Sequence, residues 1–279
     1  MRSSLGDMTI LLIILALLVM ASGIGLIYYS AVFHPSQLQA MATTTVQTAE
    51  AQTRETANAQ VTGTAQAYAN ATATAQTVAT SQAVATTTAL QNIYRLATSG
   101  TPFLNDPLNS TNNSHWDVGD ASLGGSCGFK AGAYHVIEPN KNYYLTCMAE
   151  STDFSNFAFQ VQMTIIQGDE GGLIFRATGA RLYTFGINRE GLYSFIVSKN
   201  NNPGKPLVFG PNPAIKTGMD QPNLLTVIAR DSIIYLYINK QYVDTVKDAT
   251  YKSGQIGFYA AYSKHYTDVA FNNAQIWQL

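Results

Sequence analysis

Hydrophobic and polar positions follow three successive patterns along the chain. The first, MTILLIILALLVMASGIGLIYY from Met8 to Tyr29, is apolar and uncharged. At about 1.5 Å per residue it matches a hydrocarbon core of roughly 30 Å and predicts a transmembrane helix. The second, residues 30–99, is mostly Ala, Thr and Gln. The third sets in after TPFLNDPLNSTNNSHW, a polar, proline-containing stretch, and alternates. In FAFQVQMTI, Phe157, Phe159, Val161, Met163 and Ile165 share one face, with Ala158, Gln160, Gln162 and Thr164 on the other. GLIFRA, RLYTFGI, LYSFIVS, LLTVIAR, IIYLYIN, YVDTV, QIGFYAAY and VAFNNAQIWQL behave alike, separated by GDEGG, NREG, NKQ, YKSG and similar turns. Short strands at regular spacing predict an all-β sandwich or barrel. The expected organisation is a short cytoplasmic N-terminus (1–7), a transmembrane helix (8–29), a stalk (30–99), a linker (100–114) and a β-domain (115–279).

Flanking residues orient the first segment. Arg2 and the amino terminus lie on one side, and no Lys or Arg follows until Arg54. The positive-inside rule then puts the N-terminus in the cytoplasm and the C-terminal domain outside the cell membrane, on a single-pass anchor. A cleaved signal peptide is the alternative, with Val19-Met20-Ala21 as the cleavage site. The apolar run, however, continues past that site and exceeds the usual length.

Within the stalk, AEAQT, ANAQV, AQAYA and ATAQT recur every eight residues from Ala49, Ala57, Ala65 and Ala73. Eight residues advance a helix by about 800°, so the motif drifts about 80° per repeat. One register still aligns Ala57, Val61, Thr64, Tyr68, Ala71, Ala75, Val78, Ala85 and Ala89 at three- and four-residue steps, a coiled-coil stripe of small side chains. A helical spacer with weak self-association is expected, with a disordered spacer as the alternative. Asn70, Asn109 and Asn112 stand in N-x-[ST] sequons, which matter only in a glycosylating host.

Composition narrows the function. Of 279 residues 12% are charged, the net charge is −1, and no basic patch stands out, so no nucleic-acid partner is expected. His34, His115, His135 and His265 lack metal-ligand spacing, and no phosphate-binding or nucleophile motif is present. No metal or other cofactor is expected.

The segments GGLIFRA (Gly171–Arg176 at its core), Asn223–Val227, Ile234–Val243, Asp248–Gly257 and Phe271–Asn273 resemble the concanavalin A-like lectin/glucanase superfamily. They look closest to LamG-like domains and the 3-keto-disaccharide hydrolase-like branch. The resemblance covers about residues 115–279 and implies a jelly-roll sandwich of two antiparallel sheets. It says little about activity, because the fold serves lectins, adhesion modules, sensors and glycosidases. It also leaves open a calcium ion at a carbonyl-rich rim. Two cysteines, Cys127 and Cys147, on the expected outer side suggest one disulfide. Similar cysteine pairs in these modules add weight against the alternative of two buried thiols.

Candidate chemistry centres on GDEGGLIFRA, Gly168–Ala177. Asp169 and Glu170 are adjacent in a glycine-bounded turn, so their side chains should diverge, and a turn is the better reading than a catalytic dyad. Alternation puts Leu173, Phe175 and Ala177 toward the core and Arg176 on the opposite face, as an ion pair or a ligand contact. Tyr235, Tyr237 and Tyr259 should also face away from the core. With Arg176, Gln160 and Gln162 they form the expected sugar-binding surface; cross-strand tyrosine pairing is the structural alternative. The leading expectation is thus a membrane-anchored extracytoplasmic binding module for carbohydrate. A hydrolase of the keto-disaccharide type would need paired carboxylates, for which Glu138, Glu150, Asp153, Asp220 and Asp268 are available. A structural or adhesive surface protein is the third reading.

Overall fold

The computed structural model describes residues 4–110, 115–200 and 202–279. The first three residues of the N-terminal segment, the end of the expected linker and the sequon asparagine Asn112 lie outside this range. The chain divides into two compact units between Ser81 and Gln82.

The first unit is helical. Helix α1 spans Ser4–Tyr28, a π-helical turn follows at Tyr29–Phe33, and α2 runs over His34–Ala97. The segment from Met8 is long and apolar enough to cross a membrane, with mean hydropathy 3.0 over its most apolar 18 residues. The stalk is helical despite its threonines, which ordinarily disfavour helix. Their hydroxyls bond back to the carbonyl four residues earlier, as in Thr53 to Ala49 and Thr64 to Gln60, both 2.8 Å.

The second unit is a sandwich. Its strands are β1 (Leu104–Asp106), β2 (Gly119–Asp120), β3 (Ser126–Lys130), β4 (Ala133–Glu138) and β5 (Tyr143–Met148). Then come β6 (Phe157–Gln167), β7 (Glu170–Thr178), β8 (Arg181–Asn188), β9 (Leu192–Lys199) and β10 (Asn202–Pro211). The last are β11 (Pro222–Arg230), β12 (Ile233–Ile238), β13 (Gln241–Lys247), β14 (Gln255–Tyr262) and β15 (Thr267–Gln278). Among the described residues, one sheet of nine strands has the order β13-β12-β11-β6-β15-β4-β3-β2, with β1 also on β15. The other has six, β10-β9-β8-β7-β14-β5. Neighbouring strands are antiparallel throughout.

The core lies between the sheets and takes the alternate residues of each strand. Phe157, Phe159 and Val161 of β6 meet Leu173 and Phe175 of β7 and Phe258 of β14. Phe258 is stacked on both sides, by Trp116 at 4.5 Å and Phe271 at 4.2 Å between ring centroids. Part of the expected linker is built into this domain. β1 pairs with β15, Leu108 is buried, and Asp106 accepts the Trp116 indole N–H at 3.1 Å.

Cys127 on β3 and Cys147 on β5 form a disulfide that joins the two sheets, with their Cα atoms 6.0 Å apart. The bridge closes a loop of sequence separation 20. Replacing both cysteines by alanine is expected to lower stability by about 3 kcal/mol, because the unfolded chain regains loop entropy. Urea melts of the two proteins check this; coincident curves would mean that the bridge adds nothing.

The end of α2 also belongs to this unit. Tyr94 and Ala97 are buried against Ala158, Ile228, Tyr237 and Trp277 on the outer face of the nine-stranded sheet. That face carries an apolar patch at one end, which the helix covers.

Candidate functional site

The six residues expected to share a surface fall in three places. Gln160, Gln162, Tyr235 and Tyr237 lie on the outer face of the nine-stranded sheet, as alternation requires. Part of that face is already occupied. Tyr237 is fully buried, its ring 5.2 Å from that of Tyr94 and its hydroxyl donating to Leu90 O at 2.7 Å. Burial pushes its pKa well up. Gln160 Oε1 accepts from Tyr94 at 2.6 Å and from Thr226 at 3.2 Å. Tyr235 packs beside this cluster, and Gln162 is half-buried on the same face.

Arg176 departs furthest from expectation. Register shifts on both sides of it mark a β-bulge in β7, and its φ is 48°. The extra residue reverses the alternation, so Ala177 joins Ile174 and Leu182 on the outer face instead of facing the core. The guanidinium is buried at one end of the sandwich. It donates to Ser155 O from Nε and Nη2 (3.0 and 2.6 Å) and to Asp231 O and Tyr251 O from Nη1 (2.9 and 3.2 Å). It ties three loops together and contacts no open surface.

Tyr259 is on the other sheet. Its cross-strand row is Thr146, Tyr259, Gly172, Gly186, Ser194 and Phe209, one residue from each strand. Gly186 leaves a slot on the outer face, and the Tyr259 side chain fills it. A methyl group at Gly186 would lie 1.9 Å from the Tyr259 hydroxyl oxygen. Only 4% of Tyr259 is exposed, so it supports a surface without offering its face for stacking.

Above this ring runs a trough of about 260 Å³. Glu170, Tyr259 and Thr184 contribute to it, with Tyr143, Tyr144 and Tyr262 along β5 and β14 and Ile196 and Ser198 on β9. Glu170 and Asp169 do diverge. Asp169 turns to the loop after β14, where one oxygen accepts the backbone N–H groups of Ser263, Lys264 and His265. Burial by itself would raise its pKa, but the His265 side chain and these N–H groups outweigh that and hold it at about 2. Glu170, the first residue of β7, alternates with Gly172 and Ile174 and so faces the trough. Its Oε1 accepts from Tyr259 at 2.7 Å and from Ser194 at 3.3 Å. Oε2 receives no hydrogen bond from the described residues and is not sealed from solvent. Burial raises the Glu170 pKa, and the charges of Asp169 and Glu190 push the same way.

Aromatic groups share this region. Tyr144 of β5 pairs with Ala261, the residue beside Glu170, and so has the same face, while Tyr143, 54% exposed, and Tyr262 pair on the alternate parity and line the trough at the strand ends. On the far side Phe209 of β10 is 70% exposed and pairs with Ser194, the residue that bonds Glu170. Sequence reasoning missed both Glu170 and Phe209. Glu170 was read as part of a turn, although alternation with Gly172 and Ile174 signals its face. Phe209 sits in NPGKPLVFGP, whose two register shifts hide its period. Larger depressions lie elsewhere, beside Cys127, Phe103, Lys205 and Tyr68. None of the four includes Glu170 or the tyrosines beside it. Among the described residues no group of three or more His, Cys, Asp or Glu is placed to hold a metal ion.

No family model matches the sequence, and no curated protein matches it. Several solved structures are similar. The carbohydrate-binding module CBM66 from Bacillus subtilis is 18% identical over 60% of this chain and 98% of its own, with a TM-score of 0.44. A Bacillus subtilis protein of unknown function with a galectin-like fold is 15% identical over 64% of this chain and 96% of its own, with a TM-score of 0.49. The GH43 protein BlXynB from Bacillus licheniformis is 11% identical over 63% of this chain and 39% of its own, with a TM-score of 0.48. The description of this chain as an all-β, two-sheet sandwich rests on its own strand order and register.

Proposed function

We propose that the sandwich is a carbohydrate-binding module whose ligand lies along the outer face of the six-stranded sheet. The chain would hold it outside the cell, anchored by the helix that begins near Met8. One observation carries the reading: a carboxylate oxygen, Glu170 Oε2, takes no hydrogen bond from the described residues and belongs to a trough that Tyr143, Tyr144 and Tyr262 also line. A sugar presents hydroxyl donors at its edge and C–H groups on its faces. The Glu170 oxygen suits the first; the tyrosines lining the trough, with Phe209 at the β10 edge of the same face, suit the second. The apolar N-terminal helix and the Cys127–Cys147 bridge support the membrane anchor and the oxidising side. Paired-carboxylate hydrolysis has less support. Glu170 is the one acidic side chain lining the trough, and Asp169 beside it is engaged with the loop after β14.

The test is an array of neutral, amino and acidic oligosaccharides probed with the full chain in detergent micelles. Binding is expected, and Phe209→Ala and Tyr143→Ala are each expected to weaken it about tenfold, near 1.4 kcal/mol. Their melting temperatures should stay within a degree or so, because both side chains are exposed. No binding to any oligosaccharide would reject the reading in favour of a structural or adhesive role. Release of sugar from a bound oligosaccharide would favour the hydrolase.

A further inference from the structure

We propose that the trough takes a carbohydrate carrying a free primary amine, whose ammonium group pairs with Glu170 Oε2. The inference rests on the carbohydrate-binding reading and adds the charge class of the ligand.

Three observations point to a cation. First, the carboxylate is under-compensated: its two hydrogen-bond donors, Tyr259 and Ser194, are neutral and both reach Oε1. Second, the charges that act on Glu170 are negative, from Asp169 and Glu190, and no residue lining the trough is Lys, Arg or His. The neighbouring cations are directed elsewhere: Arg189 is 3.3 Å from Glu190, and Lys264 is exposed to solvent. Third, Tyr143, Tyr144 and Tyr262 line the trough beside the carboxylate, and tyrosine faces attract ammonium groups. Burial and like charge together disfavour the carboxylate form, and an ammonium group is the ligand that most directly reverses this. An N-acetyl group offers a neutral amide at the same position. A uronic acid would bring a second negative charge into a trough with no cation to receive it.

The full chain in detergent micelles is titrated at about pH 6.5 with tetramers of glucosamine, N-acetylglucosamine and galacturonic acid. At that pH most of the amines are protonated. The glucosamine tetramer is expected to bind about tenfold or more tightly than the N-acetylated one, and the galacturonic acid tetramer not measurably. Glu170→Gln keeps an acceptor for Tyr259 and removes the charge, so it should abolish the preference for the amine. A melting curve shows whether that variant is folded. Should it fail to fold, raising the salt concentration to 0.5 M with the wild-type chain must shrink the same preference by screening. Equal binding of the two hexosamine tetramers, or tighter binding of the acidic one, overturns the amine inference and leaves carbohydrate binding standing. No binding of any tetramer overturns both.

Discussion

Replacing Arg176 by alanine is expected to lower folding stability by about 3–5 kcal/mol, because it leaves several buried carbonyls unsatisfied at about 1–3 kcal/mol each. The guanidinium is 1% exposed and donates to the carbonyls of Ser155, Asp231 and Tyr251. Each carbonyl lies in a loop at the same end of the sandwich, between β5 and β6, β11 and β12, and β13 and β14. Without the side chain, three acceptors are left in a space too dry to satisfy them. Arg176→Lys should restore little, because a single ammonium cannot reproduce the planar fork. Urea melts of the two variants provide the measurement, with oligosaccharide binding of the folded fraction unchanged. Stability within about 0.5 kcal/mol of wild type would show that water replaces the guanidinium. The fold would then not depend on this residue.

Replacing Tyr237 by alanine is expected to cost about 3–4 kcal/mol, as for other buried aromatic side chains. It removes a fully buried ring from beneath the end of α2 and breaks the bond to Leu90 O. Tyr94→Ala should act through the same contact, so the double variant should lose clearly less than the sum of the two. Limited proteolysis gives an independent reading. In the wild-type chain, Ile93, Tyr94, Ala97 and β1 are all built into the sandwich. The stable fragment should therefore begin before residue 90, not within residues 100–114. In Tyr237→Ala the cleavage should move to residues 98–103, where the freed helix end meets the sheet. Additive single effects with an unchanged fragment would mean that helix and sheet do not stabilise one another.

Strand alternation read Tyr235, Tyr237 and Tyr259 correctly as facing away from the core, because a pleat leaves only two faces. It could not tell which sheet each strand would enter. Tyr237 and Tyr259 are 22 positions apart in sequence and lie on opposite outer faces. Nor did it foresee that α2 would cover one of those faces, although Leu90, Ile93, Tyr94 and Ala97 recur at the three- and four-residue steps of an amphipathic helix face. Arg176 failed for another reason. One bulge residue inverts the alternation, and a bulge is a property of two paired strands, invisible in either alone. Strands β2–β5 went unrecognised because they are short and broken by polar residues.

What the sequence by itself determined is what local physics decides. A long uncharged apolar run, a helix-forming Ala-rich stalk and period-two strands each follow from spacing and residue type, without knowledge of partners. The distant pairings belong to the tertiary structure alone. The Cys127–Cys147 bridge is expected from the sequence, but that it joins two sheets is not. The same pairings lay Tyr259 over Gly186 and bring Glu170 to Tyr259 and Ser194. Each depends on strands separated in sequence becoming neighbours, and sheet order is set by packing the whole core at once.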